Sequence, residues 1–174
     1  MACNVTLASI AQSCEANLSG IKKIAVANYQ EGAFTFTETP EGNKIMVTIN
    51  EKIKDWVELI PARETGSYTT TMTRNDTTGV LYYTQELTAT FNKMDANNAA
   101  AIDALGAGRV VLVAQDFNGI NHCIGLDDYV MASAITGQTG AARDDGNNYS
   151  VTLQGVSAHV DYISATYPTI GAGA

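Results

Sequence analysis

Taken two residues at a time, the segment 80–91 separates into two faces. Tyr83, Gln85, Leu87, Ala89 and Phe91 fall on one, and Tyr82, Thr84, Glu86, Thr88 and Thr90 on the other. A period of two belongs to a strand, and Thr, stiff at χ1, fits a pleated sheet better than a helix. The first face therefore predicts core, with Leu87 at its centre, and the second predicts a hydroxyl-bearing surface. Residues 65–74 are richer still in Thr, and Asn75 to Gly79 supplies turn residues, so the two runs predict one long hairpin.

The same reading extends along the chain. Residues 21–29 predict a strand. Residues 33–38 alternate Phe34 and Phe36 with Thr35 and Thr37, and a turn at 40–43 leads back through 44–49 as a first hairpin. Residues 55–60 predict a strand that Pro61 stops. Over 92–105 the pattern changes, because Met94, Ala99, Ile102 and Leu105 recur at helical spacing among Ala and Asn. Asn92 or Asp95 could cap the start of that helix, and Gly106 could take the left-handed position after its end. Residues 110–114 carry no polar alternate and predict a strand buried on both faces.

Strands follow at 121–126, 129–135, 149–153 and 156–167, with a long Gly, Asp and Asn loop over 136–148. The expected fold is mainly β, a sandwich or barrel with one packed α-helix. Its parts are an N-terminal arm or short helix (1–20), a single domain (21–168) and a flexible small-residue tail (169–174).

With 174 residues the chain can bury a core without a metal or a disulfide. Only 16% of residues are charged, and Thr, Ala, Asn and Gly fill the deficit. Short neutral polar side chains lose little entropy when covered, which suits burial against neighbouring subunits. The net charge of −8 offers no basic field to displace phosphate counterions, so specific nucleic-acid binding is disfavoured. The acidity reads first as plain solubility, and on the inner wall of a ring or tube it would also let DNA pass without sticking. Cys3, Cys14 and Cys123 form no metal-type spacing and read as reduced thiols. Residues 1–20 match neither a signal peptide nor a membrane span, so folding in a cytoplasm is expected.

The sequence offers little chemistry. His122 beside Cys123 is the nearest thing to a nucleophile pair, but adjacent strand residues point to opposite faces, which predicts one buried Cys and one half-exposed His. Gly106-Ala107-Gly108 follows a helix and precedes a strand, the reverse of the order that aims amides at a phosphate. Asp127-Asp128 and Asp144-Asp145 lack the alternating ligands of a calcium loop and read as turns. No catalytic, cofactor or metal residues are assigned, and the chain is expected not to be an enzyme.

The Thr-rich hairpin, the helix over 92–105 and the following Gly106-Ala107-Gly108-Arg109-Val110-Val111-Leu112-Val113 run resemble phage tail tube and tail hub proteins, most of all those of Bacteroides-infecting, crAss-like phages. The resemblance covers about residues 21–167. It implies a virion structural protein of the tail, made in the host cytoplasm, whose copies form a homo-oligomeric ring, with a hexamer as the candidate stoichiometry. It also implies contacts with tail, neck or baseplate proteins, and DNA passing through the lumen without specific binding. On this reading Tyr82, Thr84, Glu86, Thr88 and Thr90 are the candidate lumen face. The segment 60–78, read as a loop with Arg63, Glu64, Tyr68 and Arg74, is the candidate contact to a neighbouring subunit. A capsid decoration or adhesin would use loops instead of a sheet. A carbohydrate-binding module would need Tyr68, Tyr82 and Tyr83 aligned on one exposed face, and a hydrolase would need the chemistry that is missing here.

Overall fold

A computed structural model describes residues 10, 12, 14–36, 45–51 and 53–171. In chain order the strands are β1 (Ile21–Asn28), β2 (Phe34–Phe36), β3 (Met46–Ile49), β4 (Val57–Leu59), β5 (Ser67–Asn75) and β6 (Val80–Asn92). After the helix α1 (Ala96–Ala107) come β7 (Val110–Asp116), β8 (Asn121–Ile124), β9 (Met131–Gln138), β10 (Asn148–Ser157) and β11 (Ile163–Ser164). They form a seven-stranded sheet, ordered β2-β3-β11-β8-β7-β1-β4, and a four-stranded sheet, ordered β5-β6-β10-β9. The protein is thus mainly β, two sheets with a single helix among the described residues.

The space between the sheets is filled from both sides. Ile24, Leu112 and Ile124 of the larger sheet meet Leu87, Val151 and Leu153 of the smaller, and Ile102 and Leu105 of α1 close one end. Each such side chain, fully buried, contributes about 1.5–3 kcal/mol by leaving water. A second core covers the other face of the larger sheet, where Val111 and Val113 pack with Phe34, Trp56 and Tyr162. Residues 110–114 are therefore buried on both faces, as their unbroken apolar run predicts.

Several boundaries differ from the sequence reading. Asn92 ends β6 opposite Asn148, the chain turns at Lys93 (φ 71°), and Asp95 caps α1 by accepting from the Asn98 amide at 2.8 Å. Gly106 lies inside the helix, where a Cβ would sit 2.8 Å from Ile135 Cδ1. Its missing side chain lets α1 rest on β9. The helix instead ends at Gly108, which is extended (φ −85°).

The strand expected over 149–153 runs on to Ser157, because Gly155 marks a close approach and not a break: a Cβ there would meet Ile124 and Val130 at 3.1 Å. The expected strand over 156–167 accordingly shrinks to β11, two residues placed parallel to β3. β4 is shorter than 55–60, and β9 takes residues 136–138 from the expected loop. The segment 60–78 is no single loop, since residues 67–75 within it are β5.

The first hairpin forms as β2 and β3, with its turn at 40–43 outside the described residues. Most of the N-terminal arm also lies outside them. At the other end, where a flexible tail is expected, Ile170 packs on the second core and the Gly171 amide donates to the Trp56 carbonyl at 3.2 Å. Residues 172–174 lie outside the described part.

Candidate functional site

The smaller sheet turns its outer face away from the core. β6 supplies Tyr82, Thr84, Glu86, Thr88 and Thr90 to that face, all half-buried, while Gln85, Leu87 and Ala89 between them are buried. The register extends the hydroxyl surface sideways. Thr88 stands between Ser67 of β5 and Thr152 of β10, and Thr84 stands opposite Thr71. Thr90 stands opposite Ser150, which itself faces Thr136 of β9. The hydroxyls also link strands: Thr88 Oγ1 and Thr152 Oγ1 are 3.3 Å apart, and Thr90 Oγ1 donates to Ser150 Oγ at 3.5 Å. Among these side chains Glu86 carries the one charge, and none is basic.

This face is bounded by two strand edges that pair with nothing among the described residues, β5 on one side and β9 on the other. Natural sheets blunt such edges with Lys, Pro, bulges or a covering loop. Here β9 (MASAITGQ) has neither charge nor Pro, and β5 (SYTTTMTRN) has only Arg74 near its end. β9 does carry a register irregularity opposite Thr152 and Leu153. The far end of the hairpin projects past the core, leaving Met72 and Leu81 about half exposed.

The expected inter-subunit residues are not brought together. Arg63 and Glu64 are exposed in the turn before β5 and pair with each other at 3.4 Å. Arg74, at the projecting end of β5, pairs with Asp76 at 2.6 Å. Tyr68 points inward instead, because it stands opposite Leu87 on the core side of the sheet. Its alternation with Ser67 and Thr69 carried that signal.

Tyr68 belongs to a polar cluster that joins the two sheets. Its hydroxyl donates to Asp161 Oδ1 at 3.1 Å, and its ring lies 4.9 Å from that of His122 on β8. His122 Nδ1 is 2.7 Å from Asp161 Oδ2, and Thr70 Oγ1 donates to the Val160 carbonyl at 2.9 Å. Burial works against the charged imidazole, yet the hydrogen bond and charge of Asp161, helped by Asp116, hold the His122 pKa above its ordinary value. Burial, then the Asp161 charge, pushes the Tyr68 phenol well up. The arrangement favours an imidazolium–carboxylate pair clamped under a neutral Tyr, which fastens β5, β8 and the β10–β11 connection to one another.

Cys123 is fully buried on the opposite side of β8, with its thiol pushed up by burial, so it stays protonated and apart from His122. Cys14 is a free, exposed thiol, and Cys3 lies outside the described residues. Among the described residues no group of three or more His, Cys, Asp or Glu side chains is placed to hold a metal, and no helix is long and apolar enough to cross a membrane. Asp145 Oδ2 accepts from the Ala141 and Ala142 amides at 2.7 Å, closing a turn. Asp127 Oδ2 accepts from the Tyr162 hydroxyl at 2.6 Å and the Ala158 amide at 2.8 Å, so it bridges loops where the sequence suggested only a solvated turn. No protein-family model, curated protein or solved structure matches this chain.

Proposed function

We propose that this chain is a structural subunit of a phage tail, a tail tube or tail hub protein whose copies close into a ring around a channel for DNA. The observation that carries this reading is the hydroxyl face of the smaller sheet with an edge on each side that is unpaired among the described residues. Joining β5 of one copy to β9 of the next satisfies both edges at once, and a head-to-tail contact of this kind closes into a ring when its rotation allows. A hexamer is one such closure.

The outer face then lines the lumen. Tyr82, Thr84, Glu86, Thr88 and Thr90 present neutral hydroxyls and one carboxylate, and in a chain of net charge −8 they give phosphate nothing to bind. DNA would slide past such a wall. The remaining surfaces, including the projecting end of the hairpin, are free to meet other tail, neck or baseplate proteins. The likeness of the Thr-rich hairpin and the 106–113 run to tail proteins points the same way.

A carbohydrate-binding platform is less well supported, because its aromatics would be split. Tyr82 is on the outer face of the smaller sheet, whereas Tyr68 and Tyr83 are on the inner one. The direct test is negative-stain microscopy of the purified full chain, with its mass by light scattering. Rings or tubes with a channel wide enough for duplex DNA are expected, and a clean monomer at high concentration would contradict the proposal.

A further inference from the structure

Asn118-Gly119, in the turn between β7 and β8, is the one Asn-Gly pair in the chain. In such a pair the Gly amide nitrogen can attack the Asn side-chain carbonyl, because no Cβ shields it. Gly119 meets that condition: it sits at φ 84°, and nothing lies within 4 Å of where its Cβ would stand. In the folded turn the main chain is engaged elsewhere. The Gly119 amide donates to the Asp116 carbonyl at 3.2 Å, and the Asn118 and Ile120 amides donate to Asp116 Oδ1 at 2.9 and 2.7 Å.

The Asn118 side chain is committed to the strap that precedes β1. Its Oδ1 accepts from the Leu18 amide at 2.8 Å, while its Nδ2 donates to the Leu18 carbonyl at 2.9 Å and to Asn17 Oδ1 and Asp116 Oδ2 at 3.0 Å each. The carboxamide thus acts as acceptor and donor at once, which a carboxylate cannot do. An Asp or isoaspartate in its place would set a negative charge beside Asp116 and against two further oxygens. Residues 14–19 are exposed and belong to no strand, so hydrogen bonds and not burial hold them to the domain.

We propose that Asn118 is a site of spontaneous deamidation, protected while residues 17–18 are latched to it and reactive when they lift. The Gly119 nitrogen bonds to Asn118 Cγ, the Cγ–Nδ2 bond breaks, and ammonia leaves with the Gly119 amide proton, giving a succinimide. Water opens that ring at either carbonyl to Asp or isoaspartate. The net change is carboxamide plus water to carboxylate plus ammonia, with no oxidant or reductant. The product lacks the Nδ2 donor, so the strap stays released. Lifting of an exposed strap is a local fluctuation that needs no global unfolding. The step needs no neighbouring copy, so it stands apart from the ring reading.

The test holds the full chain in mildly alkaline buffer well below its melting temperature and follows conversion of Asn118 by peptide mass spectrometry. Leu18→Pro removes the amide that donates to Asn118 Oδ1 and leaves residues 117–119 untouched, and it is expected to convert about tenfold faster than the parent. Asn17→Ala removes an acceptor without altering the main chain and should move the rate in the same direction; if Leu18→Pro does not fold, this variant alone decides. Asn118→Asp, the product itself, should show faster amide exchange over residues 15–20 than the parent. Conversion at one rate in the parent and the folded latch variants would overturn the site, and undiminished protection in Asn118→Asp would overturn the latch.

Discussion

At the residue scale, the alternation of residues 80–91 decides both the core and the candidate lumen. Leu87 is 1% exposed and meets Val151 and Leu153, whereas Thr88, one residue on, is on the outer face. Leu87→Ala should therefore destabilise the fold by about 2–5 kcal/mol, read from denaturant midpoints; an unchanged midpoint would remove Leu87 from the core. His122 makes a different claim, about pH. Its pKa is raised in the folded state, so its pairing with Asp161 is fully present below the unfolded value of about 6.5 and is lost as pH rises through the folded one. Melting temperature should fall over that rise, and His122→Phe, which keeps a ring against Tyr68, should flatten the fall; an unaltered pH profile would contradict the pairing. Tyr68 and His122 were singled out in the sequence, but Asp161 was not, and neither was their meeting. Asp161 is 93 residues from Tyr68 and 39 from His122, and no local pattern encodes contacts of that range.

Elements were legible where the pattern is local. The hairpin of β5 and β6 follows from the Thr alternation and from Asn75, whose Oδ1 accepts from the Thr77 and Thr78 amides, with Gly79 at φ 70° completing the turn. The extent of β11 could not be read inside the expected strand over 156–167, because two residues become a strand only through Met46 and His122 on its two sides. The unpaired edges of β5 and β9 carry the element-scale expectation. Met72→Lys on β5 and Thr136→Lys on β9 alter exposed positions and should change stability by no more than about 0.5 kcal/mol. Each should nevertheless lower the mass of the assembly, since charge on an edge opposes strand addition. Rings that survive both substitutions would place the subunit contact elsewhere.

At the scale of the whole molecule, the two sheets have different duties. The larger sheet is buried on both faces and holds the fold, while the smaller one has a single buried face, an outer face of hydroxyls, and edges unpaired among the described residues. Amide hydrogen exchange on assembled and dilute protein tests the central claim most directly. The outward amides of β5 and β9 are expected to gain protection on assembly while the turn at residues 139–147 continues to exchange. Rings in which both edge strands exchange as fast as in the dilute protein would contradict it.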